Sequence, residues 1–274
     1  MTKTKRMIES HLKAVDVVAE LLDARIPMSS ANPMVEELVQ GKPRIVILNK
    51  ADLADPKATD RWISYYQKKN IPVVPMSVGN SKNKKKLLSL IRETAEPMLA
   101  KWRKRGIKSR SVRLMILGIP NVGKSTLINF LAGTAATRTA NTPGHTRGKQ
   151  WVRLSEGLDL LDTPGVLWPK FDDQVAALRL AATGAIAGDV FNADEVVPEL
   201  LASLAETAPW VLQEKYDIED VHQDPQLLLE AAGRRRGCLL SGGAIDYDRA
   251  EMVVLRDFRS GKLGKLTLDP LPEK

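Results

Sequence analysis

The sequence predicts an α/β domain with a mostly parallel sheet, followed by a smaller all-α domain. Over the first two-thirds of the chain, short apolar strand segments alternate with helical segments, which is typical of a parallel sheet covered by helices on both faces. After about Phe171 the strand pattern nearly disappears, and Ala- and Leu-rich helical segments replace it. We therefore expect a first domain over residues 1–175 and a second over residues 176–274.

The predicted strands follow short apolar runs, and several predicted helices begin at a Pro, Asn or Asp. Asn32-Pro33, for example, is typical of a helix cap followed by a first helical turn. In the first domain, strands are predicted over 15–22, 44–49, 71–76, 112–118, 150–154 and 158–161. Helices are predicted there over 32–39, from residue 56 onward, over 83–104 with a break near Pro97, and over 124–131. The second domain is predicted to contain helices over 174–183, 194–206, 225–236 and 247–260.

Composition excludes several classes of protein. The chain has 274 residues, of which 43% are hydrophobic and 27% charged, so wholesale disorder is excluded. Its single cysteine, Cys238, excludes an internal disulfide framework and a zinc site built from several cysteines, and a buried thiol is expected. No apolar run is long enough to span a membrane, and acidic residues interrupt the start of the chain where a signal peptide would be apolar. We expect a cytoplasmic monomer.

The formal net charge of +8 is unevenly distributed along the chain. Residues 101–113 and 234–236 are strongly basic, whereas residues 183–226 are predominantly acidic. This asymmetry favours a polyanionic partner such as RNA, although each basic run could equally be a solvated helix face. The candidate RNA-binding residues are Arg103, Lys104, Arg105, Arg234, Arg235 and Arg236.

Gly118-Ile-Pro-Asn-Val-Gly-Lys-Ser125 matches the phosphate-binding loop pattern G-x-x-x-x-G-K-[ST]. A predicted strand leads into it and a predicted helix follows, as this motif requires. The two glycines allow the backbone to curl so that its N–H groups face the phosphates. Lys124 is expected to contact the β- and γ-phosphates, and Ser125 to ligate Mg²⁺. The expected phosphate contacts are Asn121, Val122, Gly123, Lys124, Ser125 and Thr126.

Asp162-Thr-Pro-Gly165 closes a later strand, where a Mg²⁺-binding aspartate of a nucleotide hydrolase is expected. Asp162 is the candidate for the Mg²⁺ shell, and the N–H of Gly165 could contact the γ-phosphate. A polar, turn-rich loop over 141–147 precedes this motif and suits a switch. Its Thr146 is the candidate for the second protein ligand to Mg²⁺.

Asn49-Lys-Ala-Asp52 indicates that the base is guanine. The Asp52 carboxylate can accept hydrogen bonds from guanine N1–H and from the N2 amine, which adenine does not offer. Asn49 can contact the base edge and tether the phosphate loop, while the stem of Lys50 can cover the ring. Ala51 completes the motif, and the pair Met76-Ser77 at the end of the next strand is expected to contact guanine O6.

The order of these motifs is unusual, because the guanine motif precedes the phosphate loop. The strands can keep their places in one sheet if the chain is circularly permuted. With these motifs in this order, the chain resembles the circularly permuted GTPases, specifically the ribosome biogenesis GTPase A (RbgA/YlqF) family. The resemblance extends over nearly the whole length and includes the segments 22–30, 143–146, 161–170 and 237–243.

This resemblance implies a circularly permuted P-loop GTPase domain and a helical C-terminal domain. It also implies GTP hydrolysis linked to late maturation of the large ribosomal subunit, with the subunit precursor and its rRNA as partners. A nucleotide-gated RNA- or protein-binding module with little intrinsic hydrolysis is the alternative. Permutation would place the switch loops directly before the helical domain, so that nucleotide state could move it.

The hydrolytic residues are less clear than the binding residues. Val166 occupies the position where Ras-like enzymes carry a water-orienting Gln, so slow intrinsic turnover is expected. In the resembled family a His in a Pro-Gly-His-Met segment is the proposed substitute, and the segment starting at Met1 aligns just after it. His145, beside Thr146, is a candidate replacement, and a solvated loop His is the alternative. His11 is expected to be a surface-helix residue.

Two further side chains of the motif region have open interpretations. Asn121 resembles the potassium-ligating Asn of cation-activated GTPases, and the alternative is a hydrogen bond that rigidifies the loop. Trp151 and Trp168 flank the two switch segments, where packing is the default expectation and RNA stacking the alternative.

Overall fold

The computed structural model describes residues 2–39, 41–107, 110–133, 138–139, 150–162, 173–186 and 192–272. The chain separates into two compact units. The first comprises Met1–Ala24, Ala31–Ala51 and Thr59–Pro169, and the second comprises Arg25–Ser30, Asp52–Ala58 and Lys170–Lys274. Two short loops from the N-terminal part of the sequence therefore belong to the C-terminal unit. The domain boundary near residue 175 stays a prediction, since this grouping follows packing in space and not chain order alone.

The elements up to residue 162 alternate between helix and strand as expected. The helices are α1 (Thr2–Leu12), α2 (Pro33–Leu38), α3 (Pro56–Lys68), α4 (Ser81–Lys104) and α5 (Lys124–Ala132). The strands are β1 (Val17–Asp23), β2 (Arg44–Asn49), β3 (Val73–Met76), β4 (Val112–Gly118), β5 (Arg138–Thr139), β6 (Gln150–Ser155) and β7 (Leu158–Asp162).

Within the described residues these strands form one sheet in the order β3-β2-β1-β4-β7-β6-β5. The pairs from β3 to β7 are parallel, and β6 and β5 continue the sheet antiparallel. The mostly parallel sheet is thus confirmed. The strand that ends in the guanine motif, β2, is separated from the phosphate-loop strand, β4, only by β1.

Both faces of the central strands are covered. Every residue of β1 is buried, including Glu20 and Asp23, which explains why its apolar residues do not alternate with exposed polar ones. One core cluster brings α1, α2 and three strands together, and Trp151 of β6 packs against it. The packing expected of Trp151 is therefore present. The cluster consists of Ile8, Leu12, Val15, Val18, Val35, Val39, Met115, Leu117 and Leu161.

Helix α4 continues through Pro97, so the expected break is wrong. Pro97 lies on the exposed side of the helix, where the carbonyl that loses its intrahelical partner can be solvated. Leu87, Ile91 and Ala95 are fully buried and hold the part of the helix that precedes the proline. Helix α1 was not among the predicted helices, because its sequence is largely polar. Ile8 and Leu12 are its buried residues among the side chains that the structure describes.

The described part of the second unit is helical, as predicted. It contains α6 (Gln174–Thr183), α7 (Ala193–Thr207), α8 (Pro209–Tyr216), α9 (Pro225–Arg235) and α10 (Tyr247–Arg259). Helices α9 and α10 approach closely, since a Cβ built at Gly233 would lie 3.1 Å from that of Ala250. Cys238 is fully buried, as expected for a small apolar residue. No helix of the described ranges has both the length and the apolar character that a membrane span requires.

Candidate guanine-nucleotide site

The predicted nucleotide-binding residues of the first unit lie at the carboxyl edge of the parallel sheet. Asp23 and Asn49 are opposite each other at the ends of β1 and β2, and Met76 ends β3 opposite Asn49. Gly118 ends β4 and is opposite Leu21 of β1. Ligands of open parallel sheets bind outside this edge. The sheet therefore brings the guanine motif and the phosphate loop to one place although they are distant in sequence.

The phosphate loop requires glycine at both of its glycine positions. A Cβ at Gly118 would lie 2.9 Å from the carbonyl oxygen of Leu21, so a side chain there would collide with the neighbouring strand. Gly123 has a left-handed backbone with a φ of 101°, and a Cβ there would lie 2.5 Å from Nδ2 of Asn49. Asn121 also has a positive φ of 55°, which Asn tolerates better than most residues. The loop is thereby curled at the start of α5.

Asn49 tethers the phosphate loop to the guanine-motif strand. Its Nδ2 donates a hydrogen bond of 2.8 Å to the carbonyl oxygen of Val122, and its side chain is buried. Its Oδ1 is also buried and accepts no hydrogen bond from the described residues. A buried acceptor without a donor is costly, so a bound nucleotide or water would satisfy it. The tether that the sequence predicted is thus present, with acceptor capacity left for a ligand.

Lys50 bridges β1 and the phosphate loop. Its Nζ lies 3.0 Å from Oδ2 of the buried Asp23 and donates a longer hydrogen bond of 3.4 Å to the carbonyl oxygen of Asn121. The Lys50 backbone has a φ of 56°, which turns the chain at the end of β2. The role of Asp23 was missed in the sequence. A carboxylate at the end of a buried strand, next in the sheet to the Asn-Lys pair, is the signal that could have indicated it.

Ala51 and Asp52, the remaining residues of the guanine motif, lie beyond the end of β2. The N–H of Ala51 donates a hydrogen bond of 3.1 Å to the carbonyl oxygen of Met76, which joins this segment to the end of β3. Ser77 follows β3 and is half-buried. Asp52 has an exposed side chain and belongs to the second unit.

The first turn of α5 carries the expected phosphate and metal contacts. Lys124 is half-buried, and Ser125 and Thr126 are exposed. The first N–H groups of a helix have no intrahelical acceptor and carry a partial positive charge, which suits a phosphate. Asp162 is the last residue of β7. Thr146, His145, Gly165, Val166 and Trp168 lie outside the described residues.

The candidate RNA-binding residues differ in their surroundings. Arg103 forms an ion pair with Glu96, although both side chains are more than half exposed. Lys104 and Arg105 are exposed at the end of α4.

His11, expected on the surface, is half-buried in the last turn of α1.

The basic run at the end of α9, Arg234–Arg236, also contains residues with different surroundings. Arg234 and Arg235 are exposed and form no ion pair with a described residue. Arg236 instead lies 3.0 Å from the carboxylate of Asp257, which is almost fully buried. The three adjacent arginines are therefore not equivalent.

Comparison with known proteins identifies the family. A family model described as a 50S ribosome-binding GTPase matches residues 113–221. Ribosome biogenesis GTPase A from Bacillus cereus is 44% identical over 273 residues, which cover 98% of this chain and 91% of that protein. The chain belongs to the ribosome biogenesis GTPase A family. A second member, from Thermotoga maritima, is 30% identical over 267 residues that cover 97% of this chain and 90% of that protein.

Solved structures of this family show the same fold. A GDP-bound structure of TM YlqF matches with a TM-score of 0.71 at 27% identity, over 97% of this chain and all of that chain. GNP-bound YlqF from T. maritima matches with a TM-score of 0.69 at 28% identity, over 97% of each chain. The predicted permuted GTPase fold is confirmed. As a family member the chain is a GTP-binding and GTP-hydrolysing enzyme that acts in ribosome biogenesis.

Proposed function

We propose that this ribosome biogenesis GTPase acts in the cytoplasm, as a monomer, on the precursor of the large ribosomal subunit late in its assembly. The observation that carries the nucleotide part is the hydrogen bond from Asn49 to Val122, because it joins base recognition to the phosphate loop. The family model's description, 50S ribosome-binding GTPase, supports the choice of subunit. The exposed basic ends of α4 and α9 support RNA as the contacted component.

The nucleotide would bind along the sheet edge with its base at β2 and β3 and its phosphates at α5. Asn49, Lys50, Ala51, Asp52, Met76 and Ser77 would surround guanine. Asn121, Val122, Gly123, Lys124, Ser125 and Thr126 would surround the phosphates, and Gly165 would contact the γ-phosphate. In this placement the buried Oδ1 of Asn49 would accept a hydrogen bond from the ligand or from an ordered water.

The donor set at this site fits Mg²⁺, which prefers hard oxygen ligands and shares them with substrate phosphates. Ser125 is exposed at the first turn of α5. Thr146 and Asp162 would supply the other protein oxygens. When bound, Mg²⁺ neutralises charge that develops on the phosphates. Asn121 would hold a potassium ion beside them.

Hydrolysis would depend on charge neutralisation and on an oriented water. Lys124 would stabilise the β- and γ-phosphate oxygens during transfer, and His145 is the candidate for orienting the water. Since Val166 cannot hydrogen-bond water, turnover should be slow until the ribosomal partner completes the site. The chain that follows Asp162 leads through 163–172 into α6, so the state of the γ-phosphate could bias the helical unit.

Cosedimentation with large-subunit particles in sucrose gradients tests this proposal. Protein bound to a non-hydrolysable GTP analogue should sediment with the particles more than protein bound to GDP. The Arg234→Glu/Arg235→Glu variant should lose this binding and keep its GTP affinity. A matched control reverses the exposed Lys68 and Lys215, which lie outside the proposed surface, and should bind normally. Absence of wild-type cosedimentation at low salt contradicts the proposal.

A further inference from the structure

The C-terminal segment Leu266–Asp269 is bound to two loops that follow the neighbouring strands β1 and β2. One loop, 25–30, follows β1, and the other, 52–58, follows β2 and begins with Asp52. The segment and both loops belong to the second unit. Neither the sequence motifs nor the proposed chemistry gives this segment a role.

The contacts with the 52–58 loop are made next to Asp52. The N–H of Leu266 donates a hydrogen bond of 3.0 Å to the carbonyl oxygen of Leu53. The N–H of Asp55 donates to Oγ1 of Thr267 at 3.2 Å. The side chain of Leu53 covers Gly261, since a Cβ at that glycine would lie 2.8 Å from Cδ2 of Leu53. Backbone and side chain of Leu53 are thus both held.

The contacts with the 25–30 loop are equally specific. The N–H of Leu268 donates a hydrogen bond of 2.8 Å to the carbonyl oxygen of Arg25. The buried carboxylate of Asp269 accepts hydrogen bonds of 2.7 Å from the N–H and from Oγ of Ser29. Arg179 of α6 lies 3.1 Å from the same carboxylate. A buried carboxylate with three donors holds its loop firmly.

Asp52 therefore stands between two anchored neighbours. On one side the N–H of Ala51 is bound to the carbonyl oxygen of Met76, and on the other the carbonyl of Leu53 is bound to Leu266. The Asp52 side chain is left exposed and without an ion pair among the described residues. A carboxylate whose backbone is fixed in advance loses less conformational freedom when a ligand binds.

We infer that the C-terminal segment positions Asp52 for guanine, so that Leu266 and Thr267 are positioning residues for base selection. This inference rests on the proposed role of Asp52 as the carboxylate that accepts guanine N1–H and the N2 amine. It implies that loosening the segment weakens the contact with the base and leaves the phosphate contacts intact. The signature is a change in the preference among bases as well as a change in affinity.

The test compares GTP with ITP, whose base lacks the N2 amine. Dissociation constants of both are measured by displacement of a fluorescent guanine nucleotide from the full-length protein. The wild type should prefer GTP by about tenfold or more, since a hydrogen bond to a charged group is lost with ITP. Thr267→Val removes the acceptor for the N–H of Asp55, and Leu266→Pro removes the donor to Leu53. Both should weaken GTP binding by about three- to tenfold and ITP binding much less, so that the ratio falls.

Thr267→Ser is the matched control, because it keeps the hydroxyl and should keep the wild-type ratio. Equal losses for GTP and ITP, or no loss with Thr267→Val, overturn the inference. If Leu266→Pro does not fold, the decision rests on the Val and Ser variants of Thr267, checked by thermal unfolding. The Asp52→Asn variant separates the role of Asp52 from the role of the C-terminal segment. An unchanged ratio in that variant refutes the role of Asp52 itself, whereas a collapsed ratio there with normal Thr267→Val refutes only the role of the segment.

Discussion

Replacing Arg236 should destabilise the helical unit, whereas replacing its neighbours should not. The Arg236 guanidinium lies 3.0 Å from Asp257, whose side chain is only 3% exposed. Alanine at this position leaves that carboxylate with Lys262 at 4.0 Å as its remaining cation among the described residues. Breaking a fully buried ion pair costs about 3–5 kcal/mol. Because Arg236 is itself 36% exposed, we expect a smaller loss of about 2 kcal/mol.

Urea unfolding followed by circular dichroism measures this loss. Arg236→Ala should lower the midpoint without changing the slope of the transition. Arg234→Ala/Arg235→Ala is the matched control and should stay within about 0.5 kcal/mol of the wild type, since both side chains are exposed. Particle binding should show the reverse order, with the control losing affinity and salt dependence. Equal stability of the two variants would refute the assignment of Arg236 to the fold.

Three other outcomes are expected. Asp52→Asn should weaken the binding of GTP and strengthen that of xanthosine triphosphate. The amide N–H of Asn would face the N–H donors of guanine, whereas it can donate to the xanthine carbonyl. Unaltered GTP affinity in a displacement assay contradicts the guanine assignment. Replacing potassium by sodium should slow hydrolysis with little change in nucleotide affinity, and Asn121→Ala should abolish the difference; equal wild-type rates in both salts leave Asn121 only a rigidifying role. Burial raises the pKa of the Glu20 carboxyl group above its ordinary value of 4.5. The folded state therefore binds the carboxyl proton more tightly than the unfolded state does. As pH rises from 4.5 through the raised pKa, the contribution of Glu20 to the free energy of unfolding falls. Glu20→Gln should remove that part of the pH dependence in urea unfolding, and a pH profile identical to that of the wild type contradicts it.

Local pattern was enough for most strands, though not for the two-residue β5, and for the loop proposed to bind phosphate. The strands over Arg44–Asn49 and Val112–Gly118 match the predicted bounds, because each is an apolar run between turn-forming or polar residues. The position of the phosphate loop follows from its glycines, and Gly123 shows why: its backbone angle and its contact with Asn49 both exclude a side chain. Such constraints act on single residues and are visible in the sequence.

Contacts between distant segments were not predictable in the same way. Arg234, Arg235 and Arg236 look alike in sequence, and only the packing of α10 against α9 gives Arg236 a buried carboxylate. The pair of Asp23 and Lys50 depends on the order of strands in the sheet, which the sequence motifs did not specify. These pairings are set by tertiary packing, which local residue types do not determine.

The permuted order has an energetic consequence for a GTPase that acts on a large particle. The chain enters the second unit directly after β1 and β2, which end in Asp23 and Asn49, and again a few residues after β7, which ends in Asp162. Strand β2, proposed to carry base recognition, and strand β7, proposed to carry a metal ligand, are thus both covalently continuous with the helical unit. If GTP strengthens particle binding through these connections, the particle must strengthen GTP binding by the same factor, since a coupling free energy is reciprocal. Anchoring Asp52 through Leu53 would place base recognition, and not only the γ-phosphate, within that coupling.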